Sequence, residues 1–222
     1  MKYIERIFPW LLVAPVILPV VIWGGLIYPY LVPKTLLFYA LALLSLGAFS
    51  VLAAYGTRFH FYRLRHWSAW VPGALLALAY VASYFGIGFY HSFWSIYVRG
   101  DGLLMLTGVV AYFYLILVYT DRAFFGWLVK AVAAVGSFVA VYGCGEWLIN
   151  GGRIGSLLGN AAFFAGYLGV ALFATLASAR ELSGGWRTAA YTGAALEVLA
   201  IVLSAPRGSI LAHGVAGSIA VA

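Results

Sequence analysis

A helix rising about 1.5 Å per residue needs about 20 apolar residues to cross the hydrocarbon core of a bilayer, and this sequence supplies that length repeatedly. Runs 8–31, 35–56, 67–90, 102–120, 123–149, 157–179 and 186–204 all qualify, and an eighth begins near Pro206. Inside lipid every backbone N–H and C=O must find its partner within the segment, so runs of this kind fold as spanning helices. With 65% hydrophobic and 9% charged residues, the chain also lacks the polar surface to coat a water-soluble globule. The expected architecture is an all-α, polytopic transmembrane helical bundle of about eight spans, a single transmembrane domain over 1–222. The connections are too short for a soluble domain.

Residues 1–30 imitate a signal peptide, with Lys2 and Arg6 ahead of an apolar stretch. Phe8 to Leu31 is nevertheless long enough to span and carries aromatic residues without a clear small-x-small cleavage site, so a retained first helix is expected. The eighth run stops at Ala222 with no polar anchor behind it. On that ground the chain reads as the N-terminal part of a longer protein, incomplete and inactive alone.

A net charge of +7 raises nucleic-acid binding as a possibility. The 13 basic residues, however, are scattered in ones, twos and threes between apolar runs and form no basic face, which excludes that class and makes them topology signals. With the N-terminus in the cytoplasm, the inner segments carry Lys2, Arg6, Arg58, Arg63, Arg65, Arg122, Arg180 and Arg187. The outer segments carry Lys34, Arg99, Arg153 and Arg207. Eight against four fits a multi-pass membrane protein with its N-terminus inside. Lys130, left over two turns inside the fifth run, is expected to snorkel to the inner surface. Cys144, between Gly143 and Gly145, offers neither a disulfide nor a metal pair and reads as a small packing residue.

Three outer segments carry candidate chemistry. In VLSAPRGSILAHG, Arg207 follows Pro206 at the expected start of the eighth helix, where the free N–H groups and the positive dipole end face the outer water. Together with the Ser209 hydroxyl this makes an anion site. In HSFWSIYVRGDGLL, Phe93, Trp94 and Tyr97 precede Arg99 and Asp101. This is either an interfacial aromatic belt with a paired Arg and Asp capping the next helix, or an aromatic wall beside a polar substrate. In EWLINGGRIGSLLGNAAFFAGY, a turn at Asn150–Gly151–Gly152 leads to Arg153, and Gly159 with Asn160 stands where the next helix is due. Both a re-entrant or kinked helix start and a plain loop accommodate it. Glu146 is placed to pair with Arg153, whereas Glu197, mid-way along the seventh run, is expected to be protonated or hydrogen-bonded within the bundle. His213, six residues past Arg207, falls on a different helix face and is expected to make a bundle hydrogen bond instead of acting in catalysis.

In this order, SFWSIYVRGDGLL, NGGRIGSLLGNAAFFAGYL and LSAPRGSILA resemble the O-antigen ligase and O-antigen polymerase superfamily over roughly residues 90–215. The resemblance implies a GT-C-like membrane glycosyltransferase that moves a glycan from a polyprenyl diphosphate-linked donor to a glycan, lipid or protein acceptor on the periplasmic face. By the same resemblance, Arg207 matches the arginine that holds the carrier diphosphate, the one catalytic assignment. Arg153, Arg99, Asn160, Ser209 and Trp94 are the substrate-binding candidates. Two departures stand out: Ala161 and Ala162 replace the usual Pro-Asn, and Ala205–Pro206 precedes Arg207 where Gly-Ser is common. No cofactor or metal is expected, since a diphosphate leaves readily once fixed cations meet its charge, and arginine forks suit phosphate better than lysine. The alternative is a secondary transporter or lipid-linked glycan flippase; the two halves of the chain show no self-similarity that would favour it. A purely structural bundle leaves three arginines at outer helix starts unexplained.

Overall fold

A computed structural model describes residues 2–96 and 100–204, which are all-α, with eight α-helices among them. Four are long and apolar enough to cross a membrane: Lys2–Val20 including its last 3-10 turns, Val32–Ala54, Arg122–Asn150 and Ala161–Glu181. Leu103–Tyr119 is apolar but shorter. The described residues divide into two compact units: unit 1 holds residues up to Leu18 with Trp23–Phe124, and unit 2 holds Pro19–Ile22 with residues from Phe125 on.

The first apolar run is the clearest correction. Instead of one helix over 8–31, α1 covers Lys2–Val13, a 3-10 helix covers Ala14–Val20, and the chain then turns without a helix until α2 begins at Val32. The reason is composition that hydropathy ignores. Pro15, Pro19 and Pro29 each remove a backbone donor, and Gly24–Gly25 adds conformational freedom between them. The spanning frame therefore shifts back to Lys2–Val20.

In unit 1, α1 packs on α2 (Val32–Ala54) and α5 (Leu103–Tyr119). Phe8 and Leu12 are fully buried against Leu52 and Leu115, with the Phe8 ring edge-on to Tyr119 at 4.9 Å. Pro15 has no N–H to offer the Leu12 carbonyl in the 3-10 pattern, and the Tyr112 hydroxyl from α5 donates to it instead. Helix α3 (Trp67–Tyr84) is held to α5 in a similar way, Tyr114 donating to Ala69 O at 2.9 Å across the space left by Gly73. Arg63, on the short 3-10 helix Phe61–Arg65, donates to the carbonyls of Leu117 and Thr120, placing a cation on the negative end of α5. The third expected run ends early: α3 stops at Tyr84, and a separate short helix, α4, covers Phe89–Trp94.

Unit 2 is built from α6 (Arg122–Asn150, all but its first three residues), α7 (Ala161–Glu181) and α8 (Gly184–Ser204). Small residues let these helices approach closely. A side chain at Gly136 would collide with Ala171, one at Gly143 with the Phe164 ring, and one at Gly193 with Ser137. The core between them comprises Val139, Ala140, Phe164, Leu168, Ala200 and Ile201. Outside, side chains such as Phe138, Val170 and Val202 are exposed, as a lipid-facing surface requires. The eighth expected run lies outside the described residues.

Candidate functional site

The segment between α6 and α7 is pinned down on both sides of Arg153. Gly151 and Gly152 both take left-handed backbone (φ 63° and 73°), reversing the chain as α6 ends. Ile154 and Leu157 then drop into the core beside Val139 and Phe164, and the Ser156 hydroxyl donates to Val139 O at 3.5 Å. Gly159 is again left-handed, and Asn160 caps α7, its Oδ1 accepting from the Ala162 N–H at 2.8 Å. The expected interruption before α7 is thus a short 3-10 turn, Ser156–Leu158, followed by a capped helix.

Arg153 stands exposed on this anchored loop, and its Nε donates to the Ser204 carbonyl at 3.3 Å. Ser204, the last residue of α8, is fully buried and its hydroxyl donates to Ile201 O at 2.7 Å. One bond therefore ties the NGGRIG segment to the LS that opens LSAPRG. The expected ion pair of Arg153 with Glu146 does not form. Arg153 turns to the C-terminal carbonyl of α8, where a cation is favoured, and Glu146 keeps one carboxylate oxygen buried with no hydrogen-bond partner among the described residues.

The aromatic segment belongs to unit 1. Trp94 ends α4 exposed, edge-on to Phe93 at 5.0 Å. Asp101 does not cap α5, as one of the two readings of this segment has it: it accepts from the Ser95 hydroxyl, and Gly102 is the cap residue. Only glycine fits there, because a Cβ would strike the Phe93 carbonyl. Arg99, Arg207, Ser209 and His213 lie outside the described residues.

A second polar locus forms inside unit 2. Glu197 is fully buried; its Oε1 lies 2.9 Å from Thr175 Oγ1 on α7 and 3.2 Å from Ser137 Oγ on α6. This answers the hydrogen-bonding expected of it. Beside it is a cavity of about 410 Å³ lined by Lys130, Ser137, Thr175, Ser178, Leu182 and Trp186. Lys130, expected to snorkel to the inner surface, pairs with Glu181 at the end of α7, 3.4 Å away, with both side chains partly exposed. Ser137, Thr175 and Ser178 were not legible as site residues, because three isolated hydroxyls in apolar helices carry no spacing signal across 41 positions. Thr175 and Ser178, three apart and thus on one face of α7, were the only hint. Among the described residues no group of three or more histidine, cysteine or carboxylate side chains is placed to hold a metal.

No family model, curated protein or solved structure matches this chain.

Proposed function

We propose that this chain is a membrane glycosyltransferase of the O-antigen ligase or polymerase type, acting on the outer face of a bacterial cytoplasmic membrane with its N-terminus inside. The donor is a polyprenyl diphosphate-linked glycan, and the acceptor is a glycan, lipid or protein hydroxyl. The observation that supports this reading is the bond between Arg153 and Ser204. It joins two of the three resembling segments at one end of unit 2, three residues before Arg207. An arginine on the end of α8, with a second arginine three residues further along the chain, suits a diphosphate, whose developing charge on departure is met by guanidinium forks and needs no protein acid. Arg207 is the residue that holds the diphosphate; Arg153, Arg99, Asn160, Ser209 and Trp94 bind the substrates.

The test is transfer from a polyprenyl diphosphate-linked donor in membranes carrying the protein. A charge-assisted hydrogen bond is worth about 1.5–3 kcal/mol, so Arg207→Ala lowers transfer roughly 10–150-fold at unchanged insertion, and Arg207→Lys restores part of it. Wild-type transfer by a normally inserted Arg207→Ala protein overturns the assignment. The alternative, a secondary transporter or lipid-linked glycan flippase, draws on the buried Glu197 beside a cavity. It predicts movement of the donor across the bilayer with no glycan bond formed.

A further inference from the structure

We propose that Glu197, held by Ser137 and Thr175, forms a proton-binding site behind the wall of the unit 2 cavity that these two hydroxyls and Ser178 line, and that its carboxyl carries the proton in the resting protein. The inference is independent of the transfer reading.

Hydrogen counting carries the argument. Thr175 has one hydroxyl hydrogen and two oxygens within reach, Ala171 O at 3.0 Å and Glu197 Oε1 at 2.9 Å. With Glu197 protonated, its O–H donates to Thr175, Thr175 passes its own hydrogen back to Ala171 O, and Ser137 donates to the carboxyl. With Glu197 ionised, Thr175 and Ser137 both turn their hydrogens onto Oε1. The same heavy-atom positions serve both states, so a proton is gained or lost without repacking.

The second carboxyl oxygen decides which state rests. Glu197 Oε2 is buried with no hydrogen-bond partner among the described residues. Ionised, it would hold half a negative charge in a desolvated place; as the carbonyl of a neutral acid it loses far less. Among the described residues, neighbouring charges do not reverse this. From α6, Lys130 is turned to Glu181 at 3.4 Å, and the Cys144 sulfur faces Leu196 O at 4.0 Å. From α7 the Tyr167 hydroxyl lies within electrostatic reach and is itself buried without a partner.

The cavity supplies the route. Ser137 and Thr175, which hold the carboxyl, also line it, and so does Ser178, whose buried Oγ has no partner among the described residues. Its volume admits several water molecules, and unpartnered hydroxyls are what buried water satisfies. On binding, hydronium in the cavity gives its proton to the Glu197 carboxylate and becomes water; release runs the other way, and nothing is oxidised or reduced.

The experiment is infrared spectroscopy of the whole chain in lipid bilayers, where six acidic side chains contribute carboxyl bands. The expected result at neutral pH is a protonated-carboxyl stretch that shifts down in D2O, is lost in Glu197→Gln, and moves in frequency in Thr175→Val. Raising the pH converts it to carboxylate absorption. Coincident wild-type and Glu197→Gln spectra in the protonated-carboxyl region overturn the proposal. Should Glu197→Gln not insert, a wild-type band unaffected by Thr175→Val, or one that never shifts in D2O, overturns it equally.

Discussion

Units 1 and 2 handle buried polarity to different degrees. In unit 1 the polar side chains between helices hold structure together: Tyr112 covers the Leu12 carbonyl, Tyr114 the Ala69 carbonyl, Tyr80 meets Thr107 at 2.9 Å, and Arg63 closes the end of α5. Aromatic rings around Phe8 and Phe59 fill the remaining space. In unit 2 the helices meet through glycine and alanine, and four side chains, Glu146, Tyr167, Ser178 and Glu197, each keep a buried oxygen without a partner among the described residues, against Ser45 in unit 1. Buried polarity beyond what packing uses is costly in lipid and is retained where it does chemistry. The difference concentrates unpartnered buried polarity in unit 2.

The largest expected effect tests the scaffold. Phe8→Ala removes a fully buried ring from the unit 1 core and is expected to cost about 3–5 kcal/mol. Unfolding in a denaturing-detergent titration measures this. Limited proteolysis should show the loss confined to unit 1; equal loosening of unit 2 breaks the separation.

A smaller pair sharpens it through sign. Tyr112→Phe strands the Leu12 carbonyl and is expected to destabilise by about 0.6 kcal/mol, the typical worth of such bonds in a membrane. Ser178→Ala removes a hydroxyl that bonds to no protein group among the described residues, so stability is expected to stay level or rise. If both substitutions destabilise alike in the same titration, the polar groups of the two units are equivalent and the contrast fails. The smallest effect belongs to Lys130→Met. Both members of its ion pair are about half exposed or more, and solvent screening leaves about 0–1 kcal/mol at most. A larger loss would make Lys130 a structural element of unit 2.

How far the sequence reaches is uneven for physical reasons. α2, α5, α6 and α7 fall close to the expected runs 35–56, 102–120, 123–149 and 157–179, because an uninterrupted apolar run has one way to satisfy its backbone in lipid. The stretch 8–31 scores as well in hydropathy but contains prolines, and hydropathy does not count lost N–H groups. The glycine and asparagine pattern from Asn150 to Asn160 marked an irregular helix start, and the structure resolves it into left-handed glycines and an Asn160 cap. The partners of charged groups were the least legible. Arg153 with Ser204, Lys130 with Glu181, and Glu197 with Thr175 and Ser137 are all joined by tertiary packing over 22 to 60 positions, a separation at which local pattern carries no information.

The central claim is the proposed topology, with Arg99, Arg153 and Arg207 on the outer side and Arg63, Arg65 and Arg187 on the cytoplasmic side. Accessibility of single cysteines to a membrane-impermeant thiol reagent, in a Cys144→Ser background, tests it most directly. Ile96→Cys and Asn150→Cys sit beside the first group, Tyr62→Cys and Ser183→Cys beside the second, and all four positions are exposed. The account predicts labelling from outside intact cells at Ile96→Cys and Asn150→Cys, with Tyr62→Cys and Ser183→Cys labelled only after the membrane is opened. The reverse pattern, or a split in which Ile96→Cys and Asn150→Cys label from opposite sides, contradicts it.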